Sequence, residues 1–348
     1  MRISLSGIPL SDLEKLLDPL PPYRARQIFK WIHGGISSFS EMSNLPLALR
    51  EELNSAYTLR KTTVLQKLED KDGTIKLQLT LEDELAVESV ILSDGTNRKT
   101  ACISTQAGCP MKCVFCKTGR LGFTRNLDSS EIVEQFLHIR AISGEIANIV
   151  FMGMGEPLLN LTEVERAIAV LCESMSGRRI TISTCGIISG IQALADQAKN
   201  IRLAVSLTTA DEDLRRRLMP VSVQNPLPAL KEAINTYQKR HGQRVTLEAV
   251  LLGGVNTRPT DITAMAVFAQ GLDVVVNLIP WNRIENLMFE GKPLQEPNHN
   301  EIQRFIDGLN QQGLKTVLRH KKGRSIGGAC GQLGVLAEHS KGVVSRET

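Results

Sequence analysis

Two patterns of hydrophobic and polar positions divide this chain. Up to about residue 57, apolar residues recur at helical spacing, for example Leu10, Leu13 and Leu17, and Pro21-Pro22 separates the first helix from the second. The following segments TIKLQLTL and ELAVESVIL are rich in apolar residues and are joined by acidic, turn-like residues, which is typical of a β-hairpin. The pattern therefore predicts a helical N-terminal region followed by a hairpin.

From residue 98 onward, strand-like and helix-like segments alternate. Apolar segments such as ANIVFM, RRITIST, IRLAVSL and RVTLEAVLL lie between helix-like segments such as SSEIVEQFLHIRAIS. This alternation predicts an α/β fold with a parallel sheet, and about six units predict a partial TIM-like (β/α)6 barrel. We expect a helical accessory domain over residues 1–75, a hairpin extension over 76–97, the barrel over 98–318, and a loop and tail over 319–348. The tail is expected to be loose from about Glu338.

Polar or glycine-rich residues follow several of the predicted strands. A cysteine-rich loop follows TACIST, the segment GMGEP follows NIVFM, Ser183 lies near the end of ITIST, Ser206 ends LAVS, and Asn277 lies near the end of VVVNLI. The carboxyl ends of parallel barrel strands meet at one rim, where such folds place their chemistry. The pattern therefore predicts a single site at that rim.

Three cysteines in GCPMKCVFCKTG have the spacing Cys-x3-Cys-x2-Cys, at Cys109, Cys113 and Cys116. Three thiolates from one loop are one ligand short of a closed 4Fe-4S cluster, which leaves one iron open to a small molecule. Zinc bound by three thiolates is the alternative, because soft thiolates also suit zinc.

Composition and charge limit the functional classes. The chain is 42% hydrophobic and 22% charged, with a net charge of +4, and it has no apolar run near the ~20 residues that a membrane span needs. Its start lacks the apolar core of a signal peptide, so we expect a cytoplasmic protein whose seven cysteines serve as thiols or metal ligands. Basic residues around Arg24 and around Lys321 either bind nucleic acid or form solvated faces.

The order of the motifs resembles one known family. CISTQAGC with CVFC, then GFTRNL, FMGMGEPLLN, ISTCGII, VNLIPWN and ACGQL, are similar to segments of the RlmN/Cfr family of radical SAM RNA methyltransferases. The resemblance covers nearly the whole chain. It implies a 4Fe-4S cluster with S-adenosylmethionine (SAM) on its open iron, and methylation of an adenine ring carbon in 23S rRNA and in some tRNAs. It also implies an electron donor such as flavodoxin or ferredoxin, and we expect a monomer without a membrane partner.

The resemblance assigns roles position by position. It makes Cys109, Cys113 and Cys116 the cluster ligands, Cys330 the cysteine that becomes methylated, and Cys102 the cysteine that later forms a transient disulfide with it. It makes Glu88 the proton acceptor. The SAM contacts that it implies, with the residues next to them at one strand end, are Gly155, Glu156, Ser183, Ser206, Leu207, Thr208 and Asn277.

Two departures from the family pattern stand out. Thr208 replaces a histidine after the fourth strand, and SIGG precedes ACGQL where an acidic residue and an alanine are commoner. Both indicate a divergent branch, while NLIPWN favours the RlmN type and hence methylation at C2 of adenine. The rival hypotheses are a radical SAM maturase or activase acting on protein, which would have no use for Cys102 and Cys330, and a metal-stabilised RNA-binding protein without catalysis.

Overall fold

The computed structural model describes residues 2–96, 98–197 and 200–334, so the predicted tail from Glu338 lies outside the described residues. The helices are α1 Leu10–Leu16, α2 Pro22–Gly34, α3 Leu47–Ala56, α4 Lys117–Leu121, α5 Ser129–Ser143, α6 Leu161–Leu171, α7 Ile188–Ala195, α8 Glu212–Leu218, α9 Leu227–His241, α10 Pro259–Ala269 and α11 His299–Gln311. The strands are β1 Ile3–Ser4, β2 Tyr57–Thr58, β3 Thr63–Glu69, β4 Ile75–Thr80, β5 Ala86–Ser93, β6 Lys99–Cys102, β7 Gln106–Gly108, β8 Phe123–Asn126, β9 Asn148–Phe151, β10 Ile180–Thr184, β11 Arg202–Ser206, β12 Val245–Leu251, β13 Val274–Pro280, β14 Met288–Phe289, β15 Lys292–Pro293 and β16 Thr316–Leu318.

One sheet of ten strands organises the molecule. Its order is β16-β13-β12-β11-β10-β9-β6-β5-β4-β3. Neighbouring strands from β6 to β16 pair in parallel and are joined by helices, whereas β3, β4, β5 and β6 pair antiparallel. The α/β prediction with a partial barrel is therefore confirmed, and the predicted hairpin, β4 and β5, continues the barrel sheet.

The edge strand β3 was not predicted from the sequence. Its segment TVLQKLE is exposed along almost its whole length, including Leu65 at 60% exposure. An edge strand without a buried face does not show the alternation of apolar and polar residues that marks a half-buried strand. The hydrophobic pattern alone therefore missed it.

The barrel core is built from the apolar residues of its parallel strands. In β12, Leu247, Ala249 and Leu251 are fully buried, and the flanking strand β13 contributes Val276 and Leu278. Strands covered on both faces are expected to be rich in aliphatic residues in this way. Glu248 interrupts this apolar run within β12, although it too is buried.

A buried carboxylate joins the N-terminal helical region to the barrel. Glu134 in α5 accepts hydrogen bonds from the hydroxyls of Ser4 at 2.9 Å, Ser6 at 2.7 Å and Thr62 at 2.8 Å, and from the backbone N–H of Lys61 at 2.8 Å. Because buried polar groups need such partners, these contacts set the position of the first strand on the barrel. No helix among the described residues has the length and apolar character to cross a bilayer.

Candidate active site

The cysteine-rich loop is held in place by one internal backbone hydrogen bond and by three to neighbouring segments. The N–H of Cys109 donates to Gly122 O at 2.7 Å, that of Cys116 to Cys113 O at 3.2 Å, and that of Val114 to Leu218 O at 3.0 Å. The N–H of Lys117 donates to Gly331 O at 2.8 Å, which ties the loop to the C-terminal segment. The loop geometry is thus fixed by the fold.

The three cysteines of this loop line one cavity of about 140 Å³, the inner cavity. Burial raises the pKa of the Cys109 and Cys116 thiols. Thiolate is the form that binds metal, so a metal would have to displace these protons. The Sγ of Cys185, beyond β10, lies 3.9 Å from that of Cys113 and adds a fourth thiol to the cavity wall.

Residues from other strand ends complete the inner cavity. Gly155 follows β9, Ser183 lies in β10, and Ser206 ends β11, and all three line the cavity together with Glu156. These positions are far apart in the chain, and they converge because parallel strands deliver their carboxyl ends to one rim.

The GMGEP segment packs tightly beneath this cavity. Gly155 has φ +104°, and a Cβ there would lie 2.6 Å from the Cβ of Gln106, so only glycine fits. The carboxylate of Glu156 accepts hydrogen bonds from the backbone N–H of Cys185 at 2.6 Å and of Leu158 at 3.1 Å. Burial nevertheless raises the pKa of Glu156. It is therefore a buried acceptor held rigidly at the cavity wall.

A second buried carboxylate, Glu248 in β12, also lines the inner cavity. Asn277 Nδ2 donates to its Oε1 at 3.2 Å, and the hydroxyl of Ser183 hydrogen-bonds to it as well. Burial raises the pKa of Glu248. Asn277 thus reaches the cavity wall through this carboxylate.

The residues after Ser206 have a different position. Leu207 is fully buried in the core. Thr208 has φ +60°, its N–H donates to Glu248 O at 2.9 Å, and its carbonyl accepts from Asn256 at 2.9 Å. Neither residue is among those that line the inner cavity.

A second cavity of about 250 Å³, the outer cavity, lies on the other side of Cys330. Cys330 lines both cavities, and Cys102 lines the outer one. Burial raises the pKa of Cys102 to about 12. Arg319 projects into the same space, with Nη1 3.7 Å from the Sδ of Met152.

The basic segment after Arg319 is largely paired within the protein. Lys321 and Arg324 both contact Glu296 at 2.5 Å, and Lys322 donates to the carbonyl of Ser93. Lys321 and Lys322 still line the outer cavity, as does His320. The basic residues that are adjacent in the sequence therefore have different environments. Arg319 projects into the outer cavity, whereas Lys321 and Lys322 are paired with other groups at its edge.

Glu88 lies in β5, on the same strand as the outer-cavity residue Val90. Its Oε1 is 2.9 Å from Lys76 Nζ, and its Oε2 accepts from the N–H of Gly334 at 2.6 Å. The side chain is only 4% exposed. The carboxylate is thus anchored between a lysine and the segment that carries Cys330.

Comparison with known proteins agrees with this geometry. The profile of the Radical SAM superfamily matches residues 103–265, and that of the ribosomal RNA large subunit methyltransferase N-terminal domain matches residues 3–59. A Treponema denticola protein named "probable dual-specificity RNA methyltransferase RlmN" is 48% identical, with 97% of each chain covered. A Thermus thermophilus protein of the same name is 40% identical, with 92% of each chain covered.

A solved structure is also similar over nearly the whole chain. A radical SAM methyltransferase from Sphaerobacter thermophilus is similar with a TM-score of 0.89 and 36% identity, over 95% of this chain and 99% of that one. The chain belongs to the RlmN family of radical SAM RNA methyltransferases. It is thus an enzyme that uses SAM, and the family implies a 4Fe-4S cluster.

The inner cavity fits the cofactors of the RlmN family. The loop supplies three soft sulfur donors, which suit iron–sulfur ligation and leave one iron without a protein ligand. Ser183, Ser206 and Glu156, which carry polar side chains, line the same cavity. In the described part of the chain, no group of three His, Cys, Asp or Glu side chains is arranged to hold a single metal ion.

Three residues at this RlmN-type site were not found from the sequence. Glu248 lies within an apolar strand, Arg215 lies within the charged stretch EDLRRRL, and Cys185 lies outside the Cys-x3-Cys-x2-Cys spacing. The signal for Glu248 was a single acidic residue in an otherwise buried strand, which demands a buried partner. For Arg215 no local signal exists, because its neighbours Arg216 and Arg217 have the same side chain.

Proposed function

We propose that this enzyme methylates a ring carbon of adenine in 23S rRNA, at C2, through an S-methylcysteine formed at Cys330. The observation that carries the proposal is the position of Cys330, which lines both the inner cavity and the outer cavity. A thiol at that junction can meet SAM on one side and a nucleobase on the other. A simple RNA-binding protein would need neither cavity.

In this proposal the inner cavity holds the cluster and SAM. Cys109, Cys113 and Cys116 would hold the cluster, and SAM would bind at the iron that they leave open. Gly155, Glu156, Ser183 and Ser206 hold SAM directly, while Asn277 acts with Glu248. The electron comes from a donor such as flavodoxin or ferredoxin.

Cys330 first accepts a methyl group from one SAM by nucleophilic displacement. When bound, the cluster supplies the electron that splits a second SAM into methionine and a 5′-deoxyadenosyl radical. That radical takes a hydrogen atom from the methyl group on Cys330, and the resulting methylene radical adds to the adenine ring.

Release of the product depends on two residues near the outer cavity. The adduct radical first loses one electron, which the oxidised cluster would take back, and Glu88 accepts the proton from the ring carbon. Cys102 then attacks the sulfur of Cys330, so that a disulfide forms as the carbon–sulfur bond breaks, and the freed carbon takes up a proton to complete the methyl group. The raised pKa of Cys102 means that this thiol needs a base or a change of environment before it attacks. Arg319, a cation in the same cavity, supplies part of that environment.

RNA is held outside these cavities by basic side chains, with the target base turned out of its loop. The N-terminal region, expected over residues 1–75, contributes exposed cations such as Lys30, which borders a groove with Arg26, His33 and Arg140. The dual specificity in the names of the relatives supports a second RNA substrate, which we propose to be tRNA. We propose that the reaction takes place in the cytoplasm and that the enzyme acts as a monomer.

Anaerobic purification, cluster reconstitution and incubation with SAM test this proposal. Peptide mass spectrometry should find one added methyl group on Cys330, and the variant Cys330→Ala should lose it. Cys172→Ser, a change outside both cavities, is the matched control and should keep it. An unmodified Cys330 in a protein that still cleaves SAM would reject the methyltransferase route and favour the maturase alternative.

The position on adenine needs its own experiment. 23S rRNA from a strain that lacks the gene should be digested and mapped by mass spectrometry before and after treatment with the purified enzyme. Restoration of a methyl group at C2 is expected. A methyl group at C8 would contradict the assignment.

A further inference from the structure

Arg215 in α8 is a fully buried arginine at 0% exposure. Its Nε donates to Leu207 O at 3.1 Å, and its Nη2 donates to Cys185 O at 2.9 Å and to Ser206 O at 3.3 Å. Its Nη1 donates to the hydroxyl of Ser222. The guanidinium therefore donates its hydrogen bonds to neutral carbonyl and hydroxyl oxygens.

No carboxylate lies within ion-pair distance of Arg215 among the residues that the structure describes. Burial lowers the pKa of Arg215, and the groups that oppose this shift are Cys185, Cys113 and, as the one carboxylate among them, Glu212. That carboxylate accepts the N–H of Leu227 at 2.9 Å and lies 3.5 Å from Arg216. A buried cation without an anion is strongly unfavourable, so this site needs a negative charge from another source.

The guanidinium lies directly behind the cysteine-rich loop. It binds the carbonyl of Cys185, whose Sγ is 3.9 Å from the Sγ of Cys113. The helix that carries it also accepts the N–H of Val114, between two of the loop cysteines, through Leu218 O at 3.0 Å. Once deprotonated to bind metal, the thiols of this loop supply negative charge on this side of the guanidinium.

We propose that Arg215 is the buried counter-cation of the iron–sulfur cluster and that its positive charge makes the cluster easier to reduce. This inference rests on the cluster site of the proposed function. Three thiolates give the bound cluster a net negative charge, and reduction adds another. A fixed cation in a low-dielectric site stabilises the added electron, and such nearby charges set the reduction potentials of iron–sulfur clusters.

Two substitutions at this position separate charge from hydrogen bonding. Arg215→Gln keeps a donor and removes the charge, whereas Arg215→Lys keeps the charge and loses the planar fork. The reconstituted proteins should be titrated anaerobically against a reference potential, with the reduced cluster followed by electron paramagnetic resonance. We expect Arg215→Gln to lower the equilibrium constant for reduction about tenfold, which is ~59 mV for a one-electron couple. Arg215→Lys should stay close to the parent protein.

A second pair of variants keeps Arg215, so that the proposal can still be tested if the Arg215 variants do not fold. Ser222→Asp puts a carboxylate against the guanidinium and neutralises it, and Ser222→Asn is the neutral, isosteric control. We expect Ser222→Asp to lower the potential in the same direction as Arg215→Gln, and Ser222→Asn to leave it unchanged. Arg217→Gln, two residues away and 51% exposed, controls for the loss of a surface charge on the same helix.

The reduction potentials of the cluster in these variants test the proposal. Equal potentials in Ser222→Asp and Ser222→Asn, or equal shifts in Arg215→Gln and Arg215→Lys, would overturn it, because a structural role follows hydrogen bonding and not charge. The titration requires only a bound cluster. A protein that shows the predicted shift but never methylates Cys330 would support this inference while rejecting the proposed function.

Discussion

The ion pair between Lys76 and Glu88 allows a quantitative prediction. The two charges are 2.9 Å apart, and their side chains are 12% and 4% exposed. Lys76 Nζ also donates to Gly327 O at 3.4 Å, and Glu88 accepts from the N–H of Gly334. The pair therefore joins the antiparallel extension of the sheet to the segment that carries Cys330.

The size of the effect follows from burial. At an effective dielectric constant of ~20, two charges at this distance attract by about 6 kcal/mol, and desolvation of both groups offsets much of that gain. Removal of one partner leaves the other charge buried and unpaired, which costs about 3–5 kcal/mol. We therefore expect Lys76→Met to lower the free energy of unfolding by about 3 kcal/mol, and the double variant Lys76→Met/Glu88→Gln to lose clearly less than the sum of the single losses.

Urea denaturation of the cluster-free protein measures this coupling through a double-mutant cycle. The matched control is the cycle at Lys67 and Glu69 on the edge strand, whose charges are 3.3 Å apart but 45% and 58% exposed. An exposed pair is worth at most about 1 kcal/mol. A coupling energy at Lys76 and Glu88 no larger than in this control would refute the reasoning.

Three further predictions concern single residues. Gly155→Ala should abolish SAM binding in calorimetry, because its Cβ would lie 2.6 Å from the Cβ of Gln106; an unchanged affinity would contradict the packing argument. Burial raises the pKa of Cys102 to about 12, so its alkylation by iodoacetamide at pH 9 should be several hundred-fold slower in the folded than in the unfolded protein, as mass spectrometry can measure. Burial and the nearby Arg60 lower the pKa of His138 to about 4, so this histidine contributes stability that is present above pH 6.5 and is lost as the pH falls towards 4. An imidazole titration by NMR with a midpoint near 6.5 would refute that assignment.

Much of the candidate site could be predicted because its signals are local. Three cysteines within eight positions can reach one small volume whatever the rest of the chain does. The polar residues at Ser183 and Ser206 directly follow apolar segments, and the geometry of a parallel barrel then places them on one rim. The resemblance added Cys330 and Cys102, which no spacing rule would have brought together.

Other features depend on contacts between distant positions. The sequence offered the cations around Lys321 as one basic surface, but the fold pairs Lys321 with Glu296 and turns Arg319 into the outer cavity. Similarly, EDLRRRL contains three adjacent arginines, of which only Arg215 is fully buried. Which of them turns inward depends on the angle of α8 against the barrel.

The amino-acid sequence by itself determined the alternating strands and helices of the barrel, the cysteine spacing and the strand-end polar residues, because each arises from neighbours along the chain. The tertiary structure alone decided that Cys330 lies between two cavities, that Glu88 is paired with Lys76, and that Arg215 lies behind the cluster loop. These arrangements join residues that are between 12 and more than 200 positions apart in the chain. Burial then determines how strongly their charges act, and burial is a property of the folded chain.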